Sequence, residues 1–406
     1  MTDRPAGCRT GTAPSLRTRE LVIDGLPLAD DSVGVGVYGR RLVRSLLARR
    51  EDLTCTPIVA APAWLAPRLD AGAPSAARDR EPARRQPPFT FVRSPRSGHP
   101  LIDAAIWSQR VGLWARRRGA MFFSPAPFWA AVAPEACVVV QHDRIPHYFP
   151  AYLGRKLVRK FLARRSDAFL RRCRAIVVHS EHGRRDVAGI PGLAADRIRV
   201  IRPWLPDEFN PPDAARLAPG VRETYRLPPR FWLYVGGYDY RKNVELLIAA
   251  YARVAREPEA PRLVLAGPMP PTRGPYCDVE GALARAELPA GAVVRPGFIA
   301  AEDMPGLFGA AELMIYPSRY EGFGLPPMEA MGCGCPAICA DTSSLPEVVR
   351  DADYRFADHD AASLGALLER AAQRRLPPNP SFTRNDFREK MSLDAYVALF
   401  NDMTAS

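Results

Sequence analysis

The sequence predicts an α/β protein with two doubly wound parallel sheets, and three observations support this prediction. The chain has 406 residues, which is too long for a single hydrophobic core. Short apolar runs alternate with helical patterns in both halves, as in parallel sheets with crossover helices. A proline-rich connection at residues 203–220 separates the halves, where a hinge between two domains is expected.

The predicted strands are the short apolar runs. In the first half they are Leu21–Asp24, Phe89–Val92, Met121–Phe123, Cys137–Gln141, Ala175–His179 and Ile198–Ile201. In the second half they are Phe231–Val235, Arg262–Ala266, Val293–Arg295, Leu313–Tyr316 and Ala337–Cys339. Residues 61–100, rich in Pro, Ala and Arg, are predicted to form a long loop or insertion.

These patterns divide the chain into four segments. Residues 1–20 are polar and are predicted to be a disordered lead-in. Residues 21–205 are predicted to form the first domain and residues 206–383 the second. Residues 384–406 are predicted to contain a terminal helix.

Composition excludes several classes of protein. The hydrophobic content of 47% is that of a globular chain, and no run of eighteen apolar residues predicts a membrane-spanning helix. The N-terminus has no signal-peptide core, so a cytoplasmic protein is expected. Cys333, Cys335 and Cys339 are close in sequence, but they have no C-x2-C pair and no nearby His. Free thiols are therefore predicted, and not a metal site.

The net charge of +12 is unevenly distributed. Residues 152–174 combine many Arg and Lys residues with apolar residues at helical spacing. This segment predicts either a surface helix whose apolar stripe faces the core, or a helix that contacts an anionic membrane surface. Nucleic acid is not expected as a partner, because no nucleic-acid motif accompanies the charge.

The most informative stretch is residues 316–336, which contains Glu321 and Glu329. Between them lie the turn Gly322-Phe323-Gly324 and then Leu325, Pro326 and Pro327. An apolar strand followed by a glycine turn and a helix start predicts an anion site made of backbone N–H groups. Two carboxylates beside an anion site suggest a ligand with hydroxyls and phosphates, such as a nucleotide sugar. The alternative is a strand–turn–helix whose carboxylates are only solvated.

A second motif, residues 34–39, has the pattern Gly-x-Gly-x-x-Gly at Gly34, Gly36 and Gly39. Such a helix start could be a dinucleotide fingerprint. However, the preceding loop, Leu26 to Val33, is long, and no acidic strand-end residue follows at the expected distance. We therefore interpret the motif as a glycine-rich loop near a different ligand.

Two further motifs follow predicted strands. His142-Asp143 comes at the end of one strand, at the edge where a parallel sheet binds its ligands. Gly236-Gly237 follows another strand and precedes Arg241 and Lys242. Cations at a helix N-terminus oppose the helix dipole unless an anion binds there, so this pair predicts an anion site.

Together these motifs resemble the retaining GT-B glycosyltransferases of family 4, the glycosyl transferases group 1. The resemblance covers roughly residues 21 to 350. It implies a GT-B fold with two Rossmann-like domains facing across a cleft and a C-terminal helix that crosses back to the first domain. It also implies a hexosyltransferase that uses a nucleotide sugar and a glycan, lipid-linked or small-molecule acceptor.

The resemblance also assigns roles to residues. It places Glu321 on the donor hexose, Glu329 on the ribose and His142 beside the reacting sugar. Arg241 and Lys242 would bind the diphosphate. The remaining predicted donor contacts are Gly34, Gly36, Gly237, Gly297, Phe298, Ile299, Gly322, Phe323, Gly324 and Leu325. Residues 202–206 depart from the family's usual turn, which leaves any donor contact from this segment open.

Metal independence is expected, because no Asp-x-Asp motif stands where a metal-dependent transferase needs one. The sequence does not identify the donor sugar. GDP-mannose is expected on frequency alone, with UDP- and dTDP-sugars as alternatives. Two other functions stay open. One is a nucleotide-sugar epimerase on the same fold, and the other is a catalytically degenerate scaffold at the membrane surface.

Overall fold

The structure is a computed structural model of the chain. It describes residues 20–26, 34–63, 89–98, 100–125, 134–153, 156–269, 274–376 and 382–405. The predicted lead-in lies outside these ranges except for Glu20, which is the first residue of a strand. Residues 64–88 of the predicted insertion also lie outside them.

The strands form two parallel sheets with helical connections. The first sheet has the order β3-β2-β1-β4-β5-β6-β7. Its strands are β1 Glu20–Asp24, β2 Thr56–Pro62, β3 Phe89–Val92, β4 Met121–Ser124, β5 Cys137–Val140, β6 Ala175–Val178 and β7 Ile198–Val200. The second sheet has the order β10-β9-β8-β11-β12-β13. Its strands are β8 Phe231–Val235, β9 Arg262–Ala266, β10 Val293–Gly297, β11 Leu313–Tyr316, β12 Ala337–Ala340 and β13 Arg355–Phe356.

Every predicted strand is present, with ends that differ by at most two residues. Two strands were missed. β13 has only two residues and carries no apolar run. β2 contains Pro57 and Pro62, which argue against a strand between two neighbours because proline cannot donate to the ladder. It nevertheless pairs in parallel with β1 and β3. The prediction of a loop from residue 61 onward was therefore wrong for residues 61 and 62, which end β2.

The helices connect these strands, except for the last two helices, which follow β13. Their bounds are α1 Gly34–Ala48, α2 Pro100–Arg117, α3 Ile145–Tyr148, α4 Lys156–Leu170, α5 Glu181–Ala188, α6 Pro211–Thr224, α7 Val244–Tyr251, α8 Val279–Ala286, α9 Met304–Ala310, α10 Leu325–Gly332, α11 Leu345–Val348, α12 Ala361–Ala372 and α13 Glu389–Ala405.

The predicted connection at 203–220 is largely helical, since α6 begins at Pro211. Asn210 caps this helix by accepting a hydrogen bond from the backbone N–H of Asp213, at 2.9 Å. Proline is tolerated in the first turn, whose N–H groups have no intrahelical acceptor. Prolines at the start of this segment therefore mark a helix start, and the hinge between two domains stays a prediction.

The chain divides into two compact units. One comprises Met1–Val138 with Ala395–Ser406, and the other comprises Val139–Asp394. In the first unit, the end of α13 packs against the sheet, with the Phe400 ring 5.1 Å and the Tyr396 ring 5.9 Å from that of Phe123. The domain boundaries at residues 205 and 383 stay predictions.

The predicted terminal helix is present as α13, preceded by a 3-10 turn at Arg384–Phe387. The described cysteines are buried free thiols, as predicted. The basic segment forms helix α4, whose last residues, Phe169 and Leu170, are buried. The side chains of residues 152–162 lie outside the described part of the chain.

Candidate functional site

The candidate site lies beyond the ends of two neighbouring strands of the second sheet. β8 pairs with β9 on one side and with β11 on the other. The strand order therefore reverses between β8 and β11. Doubly wound sheets bind their ligands in the crevice outside the carboxyl ends of the strands at such a point. The loop that carries Arg241 and Lys242 follows β8, and the loop that carries Glu321 follows β11.

Glu321 is the centre of a converging set of donors. Its Oε1 lies 2.7 Å from Nη1 of Arg241 and 2.7 Å from Nζ of Lys242. The hydroxyls of Ser318 and Tyr316 donate to the same oxygen at 2.6 and 3.0 Å. Residues separated by about eighty positions in sequence thus meet at one carboxylate oxygen.

The other carboxylate oxygen of Glu321 is the one left to accept a bond from a ligand. Within the described residues, no hydrogen-bond donor reaches its Oε2. Ser343 and Ser344 fix the backbone on either side of the carboxylate: the Oγ of Ser343 accepts from the Glu321 N–H at 3.0 Å, and the Oγ of Ser344 donates to the Glu321 carbonyl at 2.9 Å. The carboxylate is therefore held in one orientation before any ligand binds.

The electrostatics of the cluster keep Glu321 ionised. Burial raises the pKa of this carboxyl, but the Lys242 ammonium and the Arg241 guanidinium outweigh burial and lower it to about 2. Burial lowers the pKa of Lys242, and the Glu321 carboxylate opposes that change. The exposed fraction of each of these three side chains is 13% or less, so solvent screens the ion pairs weakly.

Arg241 and Lys242, the residues predicted to bind the diphosphate, both bond to Glu321. Arg241 also donates to the carbonyl of Tyr320 at 2.7 Å, and its Nε lies 3.4 Å from Oδ1 of Asp239. Lys242 donates to the Tyr316 hydroxyl at 2.5 Å and stacks over its ring. The two cations therefore also fix the loop after β11.

The glycine turn after Glu321 fits against the segment that carries His142. A Cβ added at Gly322 would lie 1.8 Å from the carbonyl oxygen of His142, so only glycine is accommodated. Gly324 precedes α10 with φ of +112°, a conformation that side chains disfavour. Phe323 is buried against Phe387, at a ring distance of 6.0 Å. A ligand contact from Phe323 would therefore come from its backbone. Leu325, the first residue of α10, is half-buried.

His142 is held by a second histidine. Its Nδ1 lies 3.0 Å from Nε2 of His179, and Nδ1 of His179 lies 3.1 Å from the carbonyl oxygen of Ile201. The neighbouring Asp143 accepts from the N–H of Ile145 at 2.9 Å, and burial raises its pKa. Asp143 therefore bonds to the first residue of helix α3, while His142 belongs to a pair of imidazoles.

Ser180 links α5 to the glycine turn. It caps α5 by accepting from the N–H of Gly183 at 2.9 Å. Its hydroxyl donates to the carbonyl of Gly322 at 2.9 Å. Glu347 accepts from the N–H groups of Glu181 and His182 at 3.0 and 2.9 Å. The start of α5 is thus bonded to the same loop that carries Glu321.

The remaining predicted residues after β8 and β10 lie at strand ends. The buried hydroxyl of Tyr234 donates to the carbonyl of Gly237 and fixes that turn. Gly297 ends β10 with φ of +84°, and its carbonyl accepts from the N–H of Gly267 at 2.8 Å. Phe298 is 69% exposed, whereas Ile299 is buried. An exposed ring at this edge is able to stack against a planar ligand group.

Three other predicted residues lie in helices α1 and α10. Glu329 is half-buried in α10 and is not among the hydrogen-bond partners of Glu321. Gly34 is the first residue of α1, and Gly36 is buried in the same helix. Both glycines belong to the unit that contains Met1–Val138.

Sequence reasoning missed several residues of the site. Tyr316 was predicted only as a strand residue and Ser318 was given no role, although both donate to Glu321. Tyr320 was also missed, and its hydroxyl donates to Oδ2 of Asp186 at 2.6 Å. The pairing of His179 with His142 links two strand ends. One available signal was that both histidines follow buried parallel strands, whose carboxyl ends lie at one edge of a sheet.

The described residues contain no group of three or more His, Cys, Asp or Glu side chains arranged to hold a metal ion. None of the described helices combines the length and the apolar composition needed to cross a membrane.

Comparisons with known proteins identify the family of the chain. The model of the family "Glycosyl transferases group 1" matches residues 222–390. The chain is 30% identical over 293 residues to the O-antigen chain mannosyltransferase B of Escherichia coli, and the match covers 71% of this chain and 72% of that protein. It is 32% identical over 244 residues to the serotype-specific mannosyltransferase WbdA of Escherichia coli, covering 59% of this chain. The match spans only 29% of the length of WbdA.

The fold is that of GT-B glycosyltransferases, as predicted. The sucrose-phosphate synthase of Thermosynechococcus elongatus superimposes with a TM-score of 0.69 at 18% identity, covering 95% of this chain and 99% of that one. At this level of identity the similarity concerns the fold alone.

Proposed function

Because this chain belongs to the glycosyl transferases group 1 family, we propose that it is a hexosyltransferase. In this proposal the protein moves a hexose from a nucleotide sugar to a glycan, lipid-linked or small-molecule acceptor. The observation that carries the proposal is the convergence of Arg241 and Lys242 on Glu321, at the point where the strand order of the second sheet reverses.

The roles follow from the charges of these groups. Arg241 and Lys242 bind the donor diphosphate and stabilise the negative charge that grows on the leaving nucleotide. The Oε2 atom of Glu321 accepts from a hexose hydroxyl, while its Oε1 stays on the two cations. Glu329 contacts the ribose, and Phe298 lies against the base. The backbone N–H groups of Gly324 and Leu325 add to the phosphate site, since Pro326 and Pro327 have none.

The reaction proceeds with retention and without a metal. In this mechanism the leaving phosphate itself deprotonates the acceptor, so the protein supplies mainly positioning and electrostatic stabilisation. We infer no nucleophilic carboxylate, since Glu321 is occupied by two cations.

Mannose is the proposed hexose, because the relatives described above are mannosyltransferases. GDP-mannose is thus the first donor to test, followed by UDP- and dTDP-hexoses. A polysaccharide acceptor of the O-antigen class is proposed on the same ground. Contact of α4 with an anionic membrane surface would fit a lipid-linked acceptor and stays a prediction.

Incubation with a panel of labelled donors, with and without acceptor extract, tests the function. We expect label from one donor to enter the acceptor fraction, and only when extract is present. An altered sugar nucleotide formed without acceptor would instead identify an epimerase. Unchanged donors throughout, with protein that is folded by circular dichroism, would identify a non-catalytic scaffold. Proton NMR of the product linkage distinguishes retention from inversion.

A further inference from the structure

The two imidazoles of His142 and His179 form a chain of hydrogen bonds whose direction is determined at one end. A carbonyl oxygen only accepts hydrogen bonds. Since Nδ1 of His179 lies 3.1 Å from the carbonyl oxygen of Ile201, that nitrogen carries a proton and donates it. In a neutral ring the other nitrogen is then unprotonated and accepts.

The second bond takes its direction from the first. Nε2 of His179 lies 3.0 Å from Nδ1 of His142. Because this Nε2 accepts, Nδ1 of His142 must carry the proton. Neutral His142 then has its lone pair on Nε2.

His179 is well placed to stay neutral. It is 4% exposed and follows a strand whose residues are all buried. Burial and the adjacent His142 ring lower the pKa of His179 to about 3. If His179 were instead an imidazolium, its Nε2 would donate and the tautomer of His142 would be reversed.

We propose that His179 is a positioning residue that holds His142 as its Nδ1–H tautomer, so that His142 presents Nε2 as an acceptor to a substrate hydroxyl. This proposal rests on the proposed function only for the identity of the partner, a hydroxyl of the sugar or the acceptor. The tautomer itself is a property of the ligand-free protein. Because Nε2 of His142 can then only accept a hydrogen bond, it selects a ligand group that donates one.

The direct test is long-range nitrogen–proton NMR of protein labelled with ¹⁵N-histidine, without ligand, near neutral pH. The chain has six histidines, and single substitutions assign the signals of His142 and His179. We expect both rings to be neutral Nδ1–H tautomers. A His142 ring with its proton on Nε2, or a doubly protonated His179, would overturn the proposal.

The variant His179→Leu replaces the ring that accepts the hydrogen bond from His142 with an apolar side chain of similar size. We expect the Nδ1–H fraction of His142 to fall and the donor or acceptor KM to rise roughly three- to tenfold, as for the loss of one hydrogen bond. The control variant His359→Leu changes an exposed histidine and should alter neither quantity. An unchanged His142 tautomer in folded His179→Leu protein would show that His179 does not set it.

The two readouts separate this inference from the proposed function. If no donor is turned over but both rings are Nδ1–H tautomers, a substrate hydroxyl as the partner of His142 is refuted. The positioning role of His179 is then still supported. If transfer occurs but His142 carries its proton on Nε2, the function stands and this inference fails.

Discussion

Nζ of Lys242 lies 2.7 Å from Oε1 of Glu321, across seventy-nine residues of sequence. The contact joins the loop after β8 to the loop after β11. It ties a cation proposed to bind phosphate to a carboxylate proposed to bind a sugar. Changes at either residue should therefore affect both catalysis and the stability of the loops.

Replacement of Lys242 tests the phosphate role. Lys242→Ala should lower turnover by about 10² or more, which is the scale of losing one transition-state donor. Steady-state kinetics with the identified donor measure this loss. Lys390→Ala, which removes an exposed lysine of α13, should stay within about twofold of the parent, as expected for a surface change. Near-normal kcat/KM in folded Lys242→Ala protein would refute the assignment.

Replacement of Glu321 tests the carboxylate. Glu321→Gln removes the negative charge between two buried cations, so it should cost about 3 kcal/mol in the free energy of unfolding. Turnover should also fall about 10²-fold, because the side chain that accepts the hydrogen bond from the hexose loses its negative charge. Urea denaturation and initial rates check the two effects. Glu302→Gln, at an exposed position, is the matched control. Wild-type stability of Glu321→Gln would contradict the ion-pair cluster.

The pH dependence of stability follows from the lowered pKa of Glu321. This pKa falls from an ordinary value of 4.5 to about 2 in the folded protein. The contribution of Glu321 is therefore fully present above pH 4.5 and is lost as the pH falls toward 2. The stability difference between the parent and Glu321→Gln should shrink across this window. Urea denaturation of both proteins at about pH 6, 4 and 3 measures it; a constant difference would exclude the lowered pKa.

Replacement of Glu329 should act differently from that of Glu321. Glu329→Ala should raise the donor KM several-fold and leave kcat nearly unchanged, because a ribose contact is made equally in the ground and transition states. Kinetics over a range of donor concentrations separate the two parameters. A large fall in kcat at saturating donor would place Glu329 at the reacting centre and not on the ribose.

Removal of metal ions should have no effect on turnover. The proposed mechanism uses Arg241, Lys242 and backbone N–H groups to balance the diphosphate charge, and these groups need no divalent ion. Rates in EDTA should match those in untreated buffer. Activity that collapses in EDTA and returns with Mn²⁺ would contradict this.

The sequence predicted the architecture well because parallel strands are continuous apolar runs. It failed where a local signal opposed the tertiary context. Pro57 and Pro62 concealed β2, and the prolines at the start of α6 concealed a helix. In both cases the neighbouring elements determined the conformation.

The sequence singles out residues of the candidate site but not their contacts. Glu321, Arg241, Lys242 and His142 belong to motifs that can be read locally. Their bonds depend on which strands are neighbours, and no single segment of the sequence specifies the strand order. The pair of His142 and His179, thirty-seven residues apart, depends on packing in the same way.

The most direct test of the donor site is the binding of nucleoside diphosphates to the ligand-free protein. Titration calorimetry with GDP, UDP and dTDP should find at least one that binds the parent and Lys390→Ala equally. The same nucleotide should bind Lys242→Ala at least about tenfold more weakly, since one charged hydrogen bond to phosphate is lost. Equal affinity for the parent and for folded Lys242→Ala would contradict the assignment of the Glu321 cluster as the donor site.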